Sequence, residues 1–247
     1  MFVHTSMPAH IAAPRLHPTE PAPVRPPRPP LFNGTLSFSR FASFVLAQGA
    51  AKEIEVSTIR AEQGLYSGAL DYWALFRNQV AIHHQYPAAR PGAGALEATI
   101  DLAPADRQWH YARAVAEYRR FLMGRTVSWL AEPRQALWLA KGLRLRVNPE
   151  LHLLIDGAPV VVKLYLRAPR AQALTAEVGE ALAHVLDTTH GHLGFPMVFD
   201  VLRGAVFGPP RSAAEARKRL QGEAFAFVDI WSSLDNSANT EPLPAVP

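Results

Sequence analysis

Apolar residues in the first part of the chain recur at the spacing of an α-helix. Trp73, Phe76 and Val80 continue a series of three- and four-residue steps that begins at Tyr66 and Leu70. A repeat of this length places the side chains on one helical face, so the stretch is predicted to form an amphipathic helix.

Two further helices are predicted in the same part. A serine at the start and a glycine at the end favour a helix from Ser37 to Gly49. A third helix is expected from Pro104 to Met123. Its buried stripe is predicted to hold Trp109, Ala112, Val115, Tyr118 and Leu122.

The pattern changes to alternation in the second part. Leu143, Leu145 and Val147 alternate with glycine or arginine, which predicts a strand with one solvated face. The next segment, NPELHLLIDGAPVVVKLYL (148–166), is predicted to form a β-hairpin. Its turn is expected at Asp156-Gly157, because an Asp-Gly pair favours a two-residue turn.

The remaining elements follow from similar signals. A helix is expected at 171–187, a β-rich stretch at 195–208 with a bend at Arg203-Gly204, and a last strand at 223–231. Residues 212–220 are predicted to form a short basic helix. Ser212 and Glu215 have the spacing of a capping box there, and Gly222 stands at the helix exit.

These elements predict the α/β (α+β) fold class. A helical N-terminal half is followed by a mixed β-sheet with the order α-β-β-β-α-β, flanked by helices. We expect a disordered proline-rich tail at 1–30, a single domain at 31–235 and a disordered tail at 236–247. The domain is divided into a helical part (31–126) and a sheet part (127–235). A length of 247 residues, of which 49% are hydrophobic, suits one domain with a sizeable core.

Alternation along the hairpin places its polar residues on one face. With a turn of two or four residues, three facing pairs are predicted on that face, namely Leu154 with Val161, His152 with Lys163, and Glu150 with Tyr165. The opposite face then carries only apolar side chains, which would pack against helices. Carboxylates beside a lysine are the parts that phosphodiester cleavage needs, because it requires a metal ion and a cation that stabilises charge on the phosphate.

The predicted order of a helix, three strands, a helix and a strand resembles the core of the PD-(D/E)XK nuclease-like superfamily. In that family an acid in the second strand is followed by an acid-x-lysine motif in the third. Lys163 in VVVK stands where the family's lysine would lie, and Glu150 or Asp156 stands where the first acid would lie. The segment LSFSRF (36–41) is similar to the opening helix of RecB-like members, and the resemblance covers residues 36–208.

The resemblance implies a set of site residues and a cofactor. Glu150, Asp156 and Lys163 would be catalytic, and Glu150 and Asp156 would bind Mg²⁺ or Mn²⁺. One position departs from the pattern, since the acid expected two residues before the lysine is replaced by Val161, which cannot bind a metal ion. Either this ligand has been lost, or another carboxylate such as Glu117 or Asp200 has replaced it.

This departure favours a nucleic-acid-associated domain that has lost catalytic competence. If it is active, the domain would be a metal-dependent nuclease. The candidate DNA-binding residues are arginines and a lysine on two predicted helices, because arginine forks match phosphate oxygens. They are Arg113, Arg119, Arg120, Arg217 and Lys218. A formal net charge of +4 permits a polyanionic partner without requiring one.

A non-catalytic interpretation explains the same residues. Lys163 and Glu150 can be solvated charges on the open face of a strand, and Asp156 can be a turn residue only. The alternative function is a protein-interaction or scaffold module of unknown partner. The proline-rich segment PVRPPRPP (23–30) would suit an SH3-like groove.

Composition excludes several classes of protein. The absence of cysteine excludes a disulfide scaffold and a cysteine zinc site, and it fits a cytoplasmic protein. No apolar stretch reaches the roughly 20 residues that cross a bilayer, and we expect neither a secretory signal nor a membrane partner. No glycine-rich phosphate loop or G-x-S-x-G elbow occurs, which argues against a P-loop enzyme and an α/β-hydrolase.

Overall fold

The computed structural model describes residues 32, 34–62, 71–86, 96–167 and 172–238, with side chains as far as residue 234. The proline-rich tail with its candidate SH3-binding segment lies outside the described residues. Tyr66, Leu70 and residues 239–247 also lie outside them.

The predicted α/β class is confirmed, with seven α-helices and eight strands among the described residues. The helices are α1 (Phe38–Leu46), α2 (Ala50–Ala61), α3 (Ala74–Gln85), α4 (Ala98–Leu102), α5 (Gln108–Leu122), α6 (Ala176–His190) and α7 (Ala213–Ala238). The strands are β1 (Leu36–Ser37), β2 (Val127–Ala131), β3 (Ala136–Ala140), β4 (Leu143–Val147), β5 (Leu151–Ile155), β6 (Ala158–Tyr165), β7 (Phe195–Asp200) and β8 (Ala205–Phe207).

The strands form two sheets. The larger sheet has the order β2-β5-β6-β7-β8, in which only β6 and β7 are parallel. Helix α6 connects these two strands, because parallel neighbours need a long crossover connection. The smaller sheet has the order β1-β4-β3, with β1 parallel and β3 antiparallel to β4.

The predicted hairpin exists, and its turn has two residues. Asp156 and Gly157 both have positive φ angles, 51° and 83°, as a type I′ turn requires. The register differs by two residues from the predicted one, since Leu154 faces Pro159 rather than Val161. An even shift keeps every side chain on its predicted face.

The larger sheet is covered on both sides. One face carries the expected apolar residues of the hairpin, which join a cluster with α3 and α5. They are Leu151, Leu153, Ile155, Val160, Val162, Leu164 and Leu166. The expectation of an open polar face on the other side was wrong, because Val161 and Tyr165 there are buried with α1, α6 and α7.

The strand order before the hairpin was predicted incompletely. Residues 136–147 form a second hairpin, β3-β4, with positive φ angles at Lys141 and Gly142 in its turn. Strand β4 lies in the smaller sheet, and β2, which was not predicted, pairs with β5 instead. Helix α2 was also not predicted.

The predicted last strand at 223–231 was wrong, because these residues belong to α7. Ala224, Phe227 and Trp231 are buried and recur at the three- and four-residue spacing of a helix. Gly222 does not end the helix. The predicted start is confirmed, since the Ser212 hydroxyl accepts a hydrogen bond from the Glu215 N–H at 3.3 Å.

The buried stripe of α5 is rotated relative to its prediction. Tyr111, Ala114, Val115, Tyr118 and Phe121 are its buried residues. Trp109 was predicted to be buried and is 66% exposed. Trp109 lies about half a turn around the helix from Tyr111 and Tyr118, so it faces away from the apolar cluster.

Candidate functional site

Glu150 and Lys163 form an ion pair beneath the surface of the larger sheet. Lys163 lies on β6, and Glu150 continues the pairing one residue before β5, with its N–H donating to the Val162 carbonyl oxygen at 3.1 Å. Lys163 Nζ donates to Glu150 Oε1. The side chains are only 5% and 9% exposed, so the prediction that both leave the same face is met and the prediction of a solvated face is not.

The lysine ammonium group has two further neighbours. It donates to the carbonyl oxygen of Asn148 at 2.9 Å and lies 5.9 Å from the centre of the Phe38 ring. Phe38 is the first residue of α1 and is itself buried. The start of α1 therefore covers the lysine and separates it from solvent.

Both oxygens of Glu150 are used inside the protein. Oε1 accepts from Lys163, and Oε2 accepts from the Leu164 N–H at 2.7 Å. A metal ion at Oε1 would have to share a buried position with the ammonium group of Lys163, whose positive charge would repel it. The Glu150 carboxylate therefore binds strand β6 through both the Lys163 side chain and the Leu164 backbone.

Asp156, the second candidate acid, lies at the opposite end of the hairpin from Glu150. The five residues of β5 lie between them, and the six steps from one to the other correspond to roughly 20 Å along the strand. Asp156 Oδ1 accepts from the Thr126 N–H at 2.8 Å, and the Asp156 N–H donates to the Thr126 carbonyl oxygen at 2.9 Å. The structure therefore does not bring Asp156 to Glu150 and Lys163, and the predicted metal pair of Glu150 and Asp156 is not assembled.

Val161, two residues before Lys163, cannot supply the acidic metal ligand that the family's motif places at this position. Val161 is fully buried in the apolar cluster beneath α1 and α6. Its neighbour across the hairpin is His152, whose Nε2 contacts the Leu193 carbonyl oxygen at 2.9 Å. The polar atoms near Val161 are thus occupied by the chain itself.

Neither of the two alternative carboxylates has moved to the lysine. Glu117 lies on α5, across the sheet from Lys163, and pairs with Arg120 at 2.8 Å. Asp200 lies on the same face as Lys163, opposite Tyr165 in the neighbouring strand β7. Its Oδ2 accepts from the Leu174 N–H at 3.3 Å, and its Oδ1 lies 3.6 Å from Arg203 Nη1.

Asp200 and Arg203 mark a polar region that the sequence analysis did not assign. Asp200 is 1% exposed and stands at the carboxyl end of β7, next to the carboxyl end of β6. Burial raises the pKa of Asp200, while Arg203 opposes that shift. Burial also raises the pKa of the neighbouring Tyr165 to about 12. Ligands in α/β folds often bind at the carboxyl ends of parallel strands. The sequence feature that could have identified this region is the pair Asp200 and Arg203 shortly before Gly204.

The five candidate nucleic-acid-binding residues lie on opposite sides of the larger sheet. The apolar residues of α5 join the cluster with Val162 and Leu164, and those of α7 join the cluster with Val161 and Tyr165. Alternate residues of β6 point to opposite faces. Arg113, Arg119 and Arg120 on α5 therefore cannot form one continuous surface with Arg217 and Lys218 on α7.

Two of these arginines already have acidic partners. Arg119 binds both carboxylate oxygens of Glu97, at 2.9 and 2.7 Å, and Arg120 pairs with Glu117. Arg113, Arg217 and Lys218 are exposed. These three remain the more accessible cations of the predicted set.

Among the residues that the structure describes, no group of three or more His, Cys, Asp or Glu side chains is arranged to hold a metal ion. Glu150 alone of the implied ligands lies beside Lys163, so the residues present do not fit the Mg²⁺ or Mn²⁺ that the resemblance implies. Within the same described ranges, no helix has both the length and the apolar character needed to cross a membrane. Comparison with protein-family models, curated proteins and solved structures found no match to this chain.

Proposed function

We propose that this chain is a nucleic-acid-associated domain with a PD-(D/E)XK-like core that has no nuclease activity. The observation that carries the proposal is the closed Glu150–Lys163 pair. The acid and the lysine that the family uses for chemistry lie side by side, but they bind each other and the backbone. Lys163 donates to Glu150 and to the Asn148 carbonyl oxygen, and Glu150 also accepts from the Leu164 N–H.

The arrangement of strands supports the resemblance. A β-hairpin is followed by a crossover helix and a strand parallel to the second arm, in the segments β5, β6, α6 and β7. The acid and the lysine lie on adjacent arms and face each other across the hairpin. Both features agree with what the resemblance implies about residues 36–208.

The loss of metal binding supports the non-catalytic part. A divalent ion that assists phosphodiester cleavage needs several oxygen ligands and open positions for substrate and water. Val161 offers no side-chain oxygen, Asp156 lies at the far end of the hairpin, and Glu150 is buried against the ammonium group of Lys163. In this chain the pair stabilises the hairpin against α1.

Exposed cations support contact with nucleic acid. Arg113 on α5 and the neighbours Arg217 and Lys218 on α7 are exposed, and the chain has a formal net charge of +4. Because phosphate contacts release counterions, binding through such residues weakens as salt increases.

The test combines binding and cleavage. We expect a fluorescently labelled DNA oligonucleotide to bind at low ionic strength, with affinity that falls as salt is added. Supercoiled plasmid should remain intact with Mg²⁺ or Mn²⁺. Neither ion should raise the melting temperature, since a ligand of the folded state must stabilise it.

The contrary outcomes are equally specific. Cleavage that is present in the wild type and lost in Glu150→Gln would overturn the non-catalytic part. Failure to bind DNA at low salt would overturn the nucleic-acid part.

A protein-interaction module is the second candidate, and one surface favours it. In the smaller sheet, Leu137 and Leu139 are exposed and lie opposite Arg146 and Arg144. Exposed leucines side by side are typical of protein contacts. A defined partner that binds the wild type and not Leu139→Lys would favour this function over DNA binding.

A further inference from the structure

A small pocket opens between the first turns of α5 and the turn that follows β7. It is lined by Trp109, His110, Arg113, Leu202 and Arg203 and has a volume of about 110 Å³. The turn residues come directly after the carboxyl end of β7, beside the carboxyl end of its parallel neighbour β6. This is the edge of an α/β sheet at which ligands most often bind.

The polar lining of the pocket is cationic. Arg203 lies at the turn, and Arg113 approaches from α5 closely enough for its charge to lower the pKa of Asp200. Asp200 lies behind Arg203 at 3.6 Å and is buried, so it orients the guanidinium group without reaching solvent itself. Two guanidinium groups that meet at one pocket suit a phosphate group, whose oxygens match their donors.

An aromatic surface adjoins the two arginines. Trp109 and Arg113 are four residues apart on α5, so they lie on one side of the helix. Trp109 is 66% exposed, and its ring contacts the His110 ring edge to face, with centroids 5.2 Å apart. His110 is fixed in turn by a hydrogen bond between its Nδ1 and the Tyr72 hydroxyl. The indole therefore presents a supported, accessible face to solvent.

The size of the pocket limits its occupant. Binding sites for whole small molecules usually measure about 300–1,000 Å³, so 110 Å³ accepts a phosphate group and excludes an entire nucleotide. A base attached to that phosphate would have to lie outside the pocket, where Trp109 is exposed. Bases in a duplex are already stacked on one another, whereas an unpaired base can stack on an aromatic side chain.

We propose that this pocket, Trp109 with Arg113 and Arg203, binds single-stranded nucleic acid, with a phosphate group between the arginines and an adjacent base stacked on Trp109. The inference rests on the proposed nucleic-acid association and specifies its surface and its substrate class. It places the contact on the α5 side of the sheet and excludes Arg217 and Lys218 from the main interface.

The experiment measures binding of labelled oligo-dT to the full chain by fluorescence anisotropy over a series of salt concentrations. Trp109→Ala should weaken binding at least about fivefold, since stacking contributes roughly 1–3 kcal/mol per base. Arg113→Ala should weaken binding and reduce the slope of log affinity against log salt by about 0.7, the value for one phosphate contact on a single strand. A duplex of matched length should bind the wild type less tightly.

Two matched variants serve as controls. Phe225→Ala removes another exposed aromatic ring, 61% exposed, on α7. Arg144→Ala removes an exposed arginine from strand β4 of the smaller sheet. Both should bind oligo-dT as the wild type does. All four replaced side chains are exposed, so the variants should keep the wild-type melting temperature.

The outcomes separate this inference from the proposed function. If oligo-dT binds the wild type, Trp109→Ala and Arg113→Ala equally, the pocket is not the site, while nucleic-acid association stands. If Arg217→Ala or Lys218→Ala produces the large loss instead, the interface lies on α7 and the inference is overturned. If neither oligo-dT nor duplex binds at low salt, the inference and the proposed function both fail.

Discussion

Strand β6 has two faces that are almost equally buried and chemically different. On one face, Val160, Val162 and Leu164 join an apolar cluster with α3 and α5. On the other, Lys163 lies between Val161 and Tyr165 and pairs with Glu150. Burial on both sides therefore does not imply the same kind of stabilisation.

The difference lies in how each face responds to a lost group. An apolar contact is non-directional, so neighbours relax partly into a gap and the cost depends on the volume removed. A buried charge depends on one partner at one position. Removal of that partner leaves the remaining charge without solvent and without a counter-charge.

The largest expected effect comes from breaking the polar face. Lys163→Met should lower the free energy of unfolding by about 4 kcal/mol, because it leaves the Glu150 carboxylate buried without its cation. Chemical denaturation measures this. The double variant Glu150→Gln/Lys163→Met should recover most of the loss, and a double variant as unstable as the single one would contradict the ion-pair explanation.

Truncation of a side chain on the apolar face should cost less stability, and the cost should not depend on whether Glu150 is present. Leu164→Ala should lower the free energy of unfolding by about 3 kcal/mol, since Leu164 is fully packed and its truncation leaves a cavity. Denaturation with guanidinium chloride measures the change. A loss as large as that of Lys163→Met, and equally reduced by Glu150→Gln, would show that the two faces are coupled.

The smallest effect is a pH dependence that Tyr165 gives the polar face. Burial raises the pKa of Tyr165 to about 12, so the neutral hydroxyl is favoured in the folded chain. This contribution is complete below pH 10 and is lost as the pH rises through 12. From pH 9 to pH 11, the wild type should lose about 1 kcal/mol of stability that Tyr165→Phe retains. If the wild type and Tyr165→Phe lose the same free energy of unfolding over this range, a group other than Tyr165 causes the loss.

The apolar pattern and the Asp-Gly pair together were sufficient to predict the hairpin, its turn and its two faces. The Asp-Gly pair determined the turn, and alternation assigned Glu150 and Lys163 to one side. Burial of that side was not predictable from the hairpin, because it depends on α1 and α6, which are distant in sequence. From the hairpin sequence alone, a lysine and a glutamate among apolar residues indicate a solvent-exposed face.

Errors in the prediction have local causes. The segment at 223–231 is rich in aromatic and β-branched residues, which favour a strand, yet Ala224, Phe227 and Trp231 follow the helical period. The turn at Lys141-Gly142 was missed because alternation continues across β3 and β4 as if they were one strand. The pocket beside Arg203 needed α5 and β7 to be placed together, since its residues come from separate parts of the sequence.

The contact between Glu150 and Lys163 also selects one alignment of the hairpin. A slide of two residues would keep every leucine and valine on its own face, so hydrophobic burial cannot distinguish the two alignments. In the shifted alignment Glu150 would stand opposite Tyr165, and Lys163 would lose its counter-ion. The charged pair thus distinguishes two alignments of the hairpin that the apolar residues alone do not distinguish.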